Sequence, residues 1–391
     1  MSNKIAARMD QLVPSGIRKV NEKALAMERA GEQVLHFEIG RPDFDTPAYI
    51  KRAAEESLAR GDVFYTSNFG TMELRQTIAD KLRRQNHVDY KPGEVLVTVG
   101  LSEAVFAVLT SILDPGDEIL VPDPAWLNYH NVPRLLGAVP VSYHLREENG
   151  YQMDLEEVRS KVTPRTKAVV IITPNNPTGG VLTRETLEGL ARIAVEKDLL
   201  VLSDEVYERL IYDGAEHVSI ASLPGMKERT FTLNGMSKAY SMTGWRLGYV
   251  AAPEEYIAVL NKLHQHNTTC APSFVQSASV VALRDEGNEV EEMVKEYQRR
   301  RDYAVAAINA IPGLSCLSPK GAFYIFINCK SLHMPSAQLA EYLLTNAKIA
   351  LVPGDVFGPG GEGYLRFSFA NSYENIVQGC QRLAKAVEEL R

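Results

Sequence analysis

Cysteine is scarce in this sequence, and the spacing of the few cysteines argues against two classes of protein. Four occur among 391 residues, at Cys270, Cys316, Cys329 and Cys380. Because no two of them form a Cys-x-x-Cys pair, we expect neither a zinc site of that kind nor a disulfide framework. The sequence therefore predicts no metal site.

Long apolar runs and an excess of basic residues are also missing. No run reaches about eighteen apolar residues, the length that could cross a membrane, and the N-terminal segment lacks the apolar stretch of a secretory signal. The 42 lysines and arginines are outnumbered by 49 aspartates and glutamates, for a net charge of −7. This balance disfavours a broad nucleic-acid or anionic-lipid surface. We therefore expect a cytoplasmic protein without membrane or nucleic-acid partners.

A dinucleotide-binding fingerprint is absent as well. No Gly-x-Gly-x-x-Gly motif follows a predicted strand, which argues against a nicotinamide-dependent enzyme. What the sequence does contain is the composition of a globular protein, with 45% hydrophobic and 23% charged residues. Its length is sufficient for two domains.

Strands and helices alternate through the middle of the chain. Apolar or β-branched runs predict strands at 94–99, 118–121, 168–173 and 199–203, with amphipathic helices between them. This alternation predicts an α/β fold with a mostly parallel sheet and helices on both faces. A long helix over 288–311 follows, and its Arg299-Arg300-Arg301 run is predicted to be a solvated face.

The later segments predict a second, smaller α+β unit. We divide the chain into residues 1–45, an N-terminal arm and part of the small domain, residues 46–285, the large domain, and residues 286–391, the small C-terminal domain. The division follows the change from alternating apolar strands to the long charged helix near residue 286.

Polar and aromatic residues recur directly after the predicted strands. The carboxyl ends of parallel strands line the ligand site in open α/β sheets, so these side chains are expected to meet in one cleft. They are Ser102, Trp126, Asn176, Asp204, Tyr207 and Lys238. Lys238 offers an amine that could form an imine, and the nearby Ser237 hydroxyl and Arg246 guanidinium could hold a phosphate.

Several motifs, in this order along nearly the whole chain, resemble one family. They are Gly40-Arg41-Pro42-Asp43-Phe44, Asn175-Asn176-Pro177-Thr178-Gly179, Ser203-Asp204-Glu205-Val206-Tyr207, the segment from Ser237 to Arg246, and Leu365-Arg366-Phe367-Ser368. The sequence is similar to the pyridoxal-phosphate-dependent aminotransferases of fold type I, class I/II, and most to their bacterial aspartate-aminotransferase-like branch. This resemblance implies pyridoxal 5'-phosphate as cofactor and a small domain built from both chain ends.

The resemblance also implies the catalytic residues. Lys238 would hold the cofactor as an imine and then, once freed, move a proton between the substrate and the cofactor. Asp204 would pair with the pyridine nitrogen. Tyr207 and Asn176 would hydrogen-bond the phenolic oxygen of the ring and tune the pKa of the imine.

Further residues are implied to hold the cofactor and to join two subunits. Ser237, Arg246 and the helix start at Leu101 and Ser102 would bind the phosphate, and Trp126 would stack on the ring. Tyr65 matches a tyrosine that this family donates from the neighbouring subunit. The resemblance therefore implies a homodimer with shared active sites.

The substrate contacts follow from the same resemblance. Arg366 would bind the α-carboxylate through a two-pronged pair, helped by the backbone N–H of Gly40 and beside Trp126 and Asn176. Ile17 would form an apolar wall near the substrate side chain. The reaction implied is a ping-pong exchange between an amino acid and a 2-oxo acid, with glutamate and 2-oxoglutarate as one couple. The positions of Ile17 and Ser102 lack charge, so neutral or aromatic side chains compete with aspartate as the other substrate.

Two kinds of alternative stay open at this stage, besides the nicotinamide-binding protein that the missing dinucleotide motif argues against. Another enzyme on the same scaffold, a carbon–sulfur β-lyase or a cyclopropane-forming synthase, would share most of these residues. A non-catalytic ligand-sensing regulator would need a DNA-binding domain, which the roughly forty residues before Gly40 are not expected to supply. The presence of Lys238, Asp204, Tyr207 and Arg366 together favours catalysis.

Overall fold

The computed structural model describes residues 4–284 and 287–390. The boundary predicted at residues 285 and 286 therefore lies outside the described residues. The helices are α1 Gly16–Arg29, α2 Ala48–Arg60, α3 Met72–Gln85, α4 Leu101–Ile112, α5 Asn128–Leu135, α6 Leu155–Lys161, α7 Arg184–Glu196, α8 Glu254–Asn267, α9 Ser273–Arg284, α10 Glu289–Asn309, α11 Ser336–Tyr342 and α12 Tyr373–Leu390. Within the described ranges, no helix combines the length and the apolar character that crossing a membrane requires.

Within the part of the chain that the structure describes, the strands form one large and two small sheets. They are β1 Leu35–His36, β2 Val95–Thr98, β3 Glu118–Asp123, β4 Val139–His144, β5 Thr166–Ile172, β6 Leu200–Asp204, β7 Thr230–Gly235, β8 Gly248–Ala251, β9 Tyr324–Asn328, β10 Ile349–Ala350, β11 Val352–Pro353 and β12 Tyr364–Ser368. The large sheet has the order β2-β8-β7-β6-β5-β3-β4, in which β8 alone runs against its neighbours. The predicted mostly parallel α/β sheet is confirmed.

Both faces of the large sheet are buried, which explains its continuous apolar strands. In β5, Val169 and Ile171 belong to one hydrophobic cluster, whereas Ala168 and Val170 belong to another on the opposite face. Successive side chains of a strand point to opposite faces, so an unbroken apolar run is what a sheet covered by helices on both sides needs.

The two chain ends combine in the small sheets. β1 pairs in parallel with β10, placing Leu35 opposite Ile349, while β11, β12 and β9 form an antiparallel sheet. The N-terminal segment thus joins the C-terminal part of the chain, as the predicted fold class requires. The exact division of the chain into domains stays a prediction.

Helix starts differ in a way that bears on function. α3 and α7 each begin after a threonine whose hydroxyl accepts a backbone N–H, Thr71 from Leu74 at 3.3 Å and Thr183 from Thr186 at 3.2 Å. α4 begins after Gly100 without any side-chain cap. Its first N–H groups are therefore available to a ligand.

The predicted solvated arginine run on α10 is wrong for two of its three members. Arg300 and Arg301 are buried, with 7% and 2% of their surface exposed. Arg300 donates to both carboxylate oxygens of Asp43, at 2.9 and 2.8 Å, and Arg301 donates to both of Asp213, at 2.9 and 2.8 Å. Burial is possible because carboxylates from distant loops pair with each guanidinium, which the local charge pattern does not reveal.

Candidate active site

One cavity of about 410 Å³ lies at the carboxyl ends of β5, β6 and β7, beside the start of α4 and beneath α1. All but one of the residues predicted for the site line it. These are Ile17, Gly40, Leu101, Ser102, Trp126, Asn176, Asp204, Tyr207, Ser237, Lys238, Arg246 and Arg366. These side chains cluster at this edge of the large sheet because its parallel strands all end on the same side.

Lys238 lies in the loop that follows β7, and its amine faces the middle of the cavity. The amine donates a hydrogen bond to the carbonyl oxygen of Gly40, and it lies 5.6 Å from the ring centroids of both Tyr207 and Phe323. Desolvation lowers the pKa of the Lys238 amine to about 7, with a further lowering by the positive charge of Arg366. Near neutral pH a large fraction of this amine is therefore unprotonated and nucleophilic.

Asp204 ends β6 and points into the same cavity. Its carboxylate accepts hydrogen bonds from the Tyr129 hydroxyl at 2.9 Å and from the backbone N–H of Val206 at 3.2 Å. Burial raises the pKa of Asp204 to about 6, although both hydrogen bonds lower it. At neutral pH this group is a buried carboxylate, suited to pairing with a cation in a ligand.

The start of α4 and Arg246 together form an anion cradle. Gly100 has a φ of +76°, and a Cβ built on it would lie 2.8 Å from Cζ of Arg246. The guanidinium is held there by a hydrogen bond from Nη1 to the carbonyl oxygen of Thr243, at 2.9 Å. A cation thus lies above uncapped N–H groups at a helix N-terminus, the arrangement that binds phosphate.

Close packing of the sheet against α4 supports this cradle. A Cβ on Gly248, at the start of β8, would lie 2.8 Å from the backbone nitrogen of Leu101. Glycine at this position therefore lets the strand approach the first turn of the helix. Ser102 and Ser237 line the same cavity.

Arg366, on β12, is almost fully buried at 1% exposure. Its Nη1 donates to Oδ1 of Asn176 at 3.0 Å, and its Nη2 donates to the carbonyl oxygen of Glu38. Its Nε is buried without a hydrogen-bond partner among the described residues. A buried guanidinium with an open donor is suited to binding a carboxylate.

Sequence reasoning missed Tyr324 and Tyr129. The Tyr324 hydroxyl lies 2.7 Å from that of Tyr207, and its ring lies 4.4 Å from the guanidinium carbon of Arg366. A Cβ on Gly40 would collide with the Tyr324 hydroxyl. Tyr324 opens β9, which belongs to a different sheet from β6, the strand that precedes the turn containing Tyr207, so no local motif connected them. Tyr129 lies on the first turn of α5, and Trp126 precedes that helix, so no helical spacing connected the two.

The mouth of the cavity is less apolar than the sequence predicted. Ile17 does line it, but so do its neighbours Ser15 and Arg18 on the first turn of α1, and Arg41 from the loop after β1. Neither guanidinium was singled out from the sequence, because Arg18 belongs to none of the quoted motifs and Arg41 was quoted only as part of the Gly40-to-Phe44 motif.

Tyr65 is the one predicted residue that does not line the cavity of its own chain. Its side chain is 87% exposed, and the adjacent Val63 and Phe64 are 59% and 81% exposed. Three successive large apolar or aromatic side chains left uncovered are unusual for a surface loop.

The chain matches the family described as Aminotransferase class I and II over residues 32–383. The aspartate aminotransferase of Pyrococcus abyssi is 46% identical over 385 residues, which cover 98% of each chain. Aromatic-amino-acid aminotransferase 2 of Thermococcus litoralis is 42% identical over 388 residues, again 98% of each chain. The structure of the aspartate aminotransferase from Thermus thermophilus with maleate has a TM-score of 0.94 and 40% identity, covering 98% of this chain and 100% of that chain.

Proposed function

This chain belongs to the class I and II aminotransferases, and from that premise we propose that it exchanges an amino group between an L-amino acid and a 2-oxo acid by using pyridoxal 5'-phosphate. The exchange would be ping-pong, so that the first oxo acid leaves before the second one binds. Both half-reactions would use the cavity that Lys238 and Arg366 line.

The residues of the cavity fit pyridoxal 5'-phosphate. The anion cradle of Gly100 and Arg246 would hold the phosphate. This role is supported by the close packing of the guanidinium against the start of α4, where no space is left for a Cβ on Gly100. Asp204 would hold the protonated ring nitrogen, and Tyr207 with Asn176 would hydrogen-bond the ring hydroxyl. When bound, the cofactor supplies an aldehyde that accepts amino groups and a ring that delocalises the electrons of a broken Cα–H bond.

Lys238 would serve both as the covalent attachment point and as the acid–base group. An amine with a pKa of about 7 can attack a carbonyl at neutral pH, which an ordinary lysine does only slowly. Once a substrate amine has replaced it, the same group would take the proton from the substrate Cα and deliver it to the cofactor. Because the pKa of this amine lies near neutral pH, the amine can both accept and donate a proton.

Arg366 would bind the α-carboxylate of the substrate, with its unpartnered Nε supplying a donor. The backbone N–H of Gly40 would add a second contact. A carboxylate fixed by these groups is protected from loss as carbon dioxide, so proton removal by Lys238 is favoured.

A homodimer with shared sites is part of the proposal. The exposed Tyr65 would reach the phosphate in the partner's cavity, which is supported by its 87% exposure and its absence from the cavity of its own chain. We further propose that residues 46–285 form the cofactor-binding domain and that residues 1–45 and 286–391 supply the remainder.

For substrates, we propose glutamate and 2-oxoglutarate as one couple, and aspartate or a neutral or aromatic amino acid as the other donor. Relatives of similar identity are named for aspartate and for aromatic amino acids, which supports a cavity that serves both kinds of side chain.

The observation that carries this proposal is the presence of the Lys238 amine and the open donor of Arg366 in one cavity. The test is borohydride reduction of the protein loaded with cofactor, followed by peptide mapping, together with a coupled assay across amino donors and oxo acids. We expect the tag on Lys238 and amino transfer that depends on an acceptor. A tag on another peptide, or release of ammonia and pyruvate without an acceptor, would contradict the proposal and favour a lyase.

A further inference from the structure

A carboxylate outside the cavity holds the turn that leads into α4. Gly100 provides no side-chain cap for this helix, and its own N–H donates to the carbonyl oxygen of Thr98 at 2.9 Å. Glu103, in the first turn of α4, accepts the backbone N–H of Val99 at 2.5 Å. This bond closes the turn around the Val99–Gly100 peptide without using the first N–H groups of the helix, which stay available to a ligand.

Two residues at the end of α8 hold the same carboxylate from the other side. Oε1 of Glu103 accepts hydrogen bonds from Nδ1 of His264 at 2.6 Å and from the Thr268 hydroxyl at 2.8 Å. The His264 side chain is fully buried, and that of Glu103 is 7% exposed. Both oxygens of Glu103 are therefore engaged, which fixes the carboxylate between α4 and α8.

The negative charge of Glu103 is directed away from the cavity. Leu101 and Ser102 line the cavity, whereas Glu103 does not. Although burial raises the pKa of Glu103, hydrogen bonds from His264 and from the Val99 N–H lower it below its ordinary value. Glu103 is thus a carboxylate at neutral pH, and an anion in the first turn of a helix also interacts favourably with the helix dipole.

The peptide that Glu103 holds is the part of the anion cradle that contacts Arg246. A Cβ on Gly100 would lie 2.8 Å from Cζ of Arg246, so a small rotation of the Val99–Gly100 peptide would move the helix start relative to the guanidinium. Phosphate binding depends on the convergence of these two sets of donors. A group that fixes this peptide can therefore control the affinity for phosphate without contacting it.

We propose that Glu103 is a positioning residue for the anion cradle. It holds the Val99–Gly100 peptide in the orientation that lets the N-terminus of α4 and Arg246 bind one phosphate together. His264 orients Glu103 in turn, so a change at His264 should act in the same direction and more weakly. This role rests on the cofactor use proposed above.

The test uses pyridoxal 5'-phosphate and pyridoxal, two ligands that differ in the phosphate group. Each is titrated into the cofactor-free wild type and into cofactor-free Glu103→Ala, and fluorescence measures binding. Because Glu103 acts through the anion cradle, we expect the affinity for pyridoxal 5'-phosphate to fall by about tenfold or more in the variant. The affinity for pyridoxal should change by less than about threefold. A general loss of packing would weaken the two ligands alike.

Glu157→Ala is the matched control. The Glu157 carboxylate also accepts a hydrogen bond from a histidine, His144 Nδ1 at 2.5 Å, it is 13% exposed, and it does not line the cavity. This variant should bind both ligands as the wild type does. Glu103→Gln keeps an oxygen that can accept the Val99 N–H, so it should recover part of the loss. His264→Phe should show a smaller loss that is again confined to the phosphorylated ligand.

These measurements also separate the role of Glu103 from the proposed function. If the wild type binds pyridoxal 5'-phosphate but transfers no amino group, amino transfer fails while the comparison of ligands still decides the role of Glu103. An unchanged ratio of the two affinities in Glu103→Ala, or an equal fall for both ligands, would overturn this role. If Glu103→Ala does not fold, Glu103→Gln and His264→Phe decide the question, and the wild-type ratio in both would overturn it.

Discussion

The guanidinium of Arg246 packs directly over Gly100, close enough that a Cβ at Gly100 would lie 2.8 Å from Cζ. Gly100 itself has a left-handed φ of +76°, which a side chain rarely adopts. These two constraints place the guanidinium of Arg246 in contact with the N-terminus of α4. The anion cradle therefore depends on the absence of a side chain at Gly100.

Gly100→Ala is therefore expected to weaken cofactor binding by at least about tenfold, because the guanidinium must move off the helix start. Titration of the cofactor-free protein with pyridoxal 5'-phosphate, followed by fluorescence, measures the effect. Gly150→Ala is the control for a positive φ without a steric collision: Gly150 has a φ of +67°, nothing lies within 4 Å of a built Cβ, and the residue does not line the cavity. Its αL backbone (ψ +28°) is strained less by a side chain than that of Gly100 (ψ +166°). Equal affinities in the two variants would contradict the assigned cradle.

Covalent attachment of the cofactor should follow the pKa of Lys238. Only the unprotonated amine attacks an aldehyde, and its pKa is lowered to about 7 from the ordinary value of 10.5. Stopped-flow mixing of cofactor-free protein with pyridoxal 5'-phosphate should give a rate that rises with pH through about 7 and levels off above about 8. A rate still climbing at pH 9 would show that this amine is not desolvated. Lys238→Ala should bind the cofactor without forming a borohydride-stable link.

Tyr129→Phe should shift the ionisation of Asp204. The Tyr129 hydroxyl donates to the Asp204 carboxylate at 2.9 Å and so lowers a pKa that burial raises to about 6. Removing the donor raises the pKa of Asp204. As the solution is acidified, Asp204 therefore becomes protonated at a higher pH than in the wild type. We expect cofactor affinity to fall by about tenfold near pH 6 and to recover near pH 8. Asp204→Asn, the control, should bind weakly at both pH values, and an unchanged profile in Tyr129→Phe would refute the link.

Mixing two impaired variants tests the shared site. In a hybrid dimer of one Tyr65→Phe subunit and one Lys238→Ala subunit, one of the two cavities would contain both native residues. With random mixing of equal amounts, about half of the dimers are hybrids, and each hybrid has one native cavity of two. The mixture should therefore recover about one quarter of the wild-type activity. This requires Tyr65→Phe alone to be impaired, which its own assay establishes. Activity no higher than the sum of the two separate variants would show that Tyr65 does not act on the partner's cavity.

The buried arginines of α10 should matter to stability more than their exposed neighbour. Arg301 is 2% exposed and paired with Asp213 and Asp302. Arg301→Met is expected to lower the free energy of unfolding by about 1–3 kcal/mol, since Asp302 loses its partner and Asp213 keeps only Lys320, at 3.0 Å, while both carboxylates can still reach water. Arg299→Met, at an exposed position, should change it by less than about 0.5 kcal/mol. Urea unfolding measures both, and similar midpoints would contradict the buried role.

Local pattern was enough to determine the main architecture. Unbroken apolar strands such as Ala168 to Ile172 predict burial on both faces, and turn residues after each strand predict a shared edge. Those two facts place Asp204 and Lys238 near each other before any coordinates are known. The burial of the strands and their shared edge depend only on residues that are close along the chain, so the sequence is enough to predict them.

Tertiary structure alone decided the features that join distant segments. The Tyr207–Tyr324 hydroxyl pair links positions 117 residues apart, and the burial of Arg301 depends on a carboxylate 88 residues away. Arg18 belongs to the cavity only because α1 packs beside β10 and β11. Desolvation and pairing arise from whatever the folded chain brings together, and no spacing along the chain encodes those neighbours.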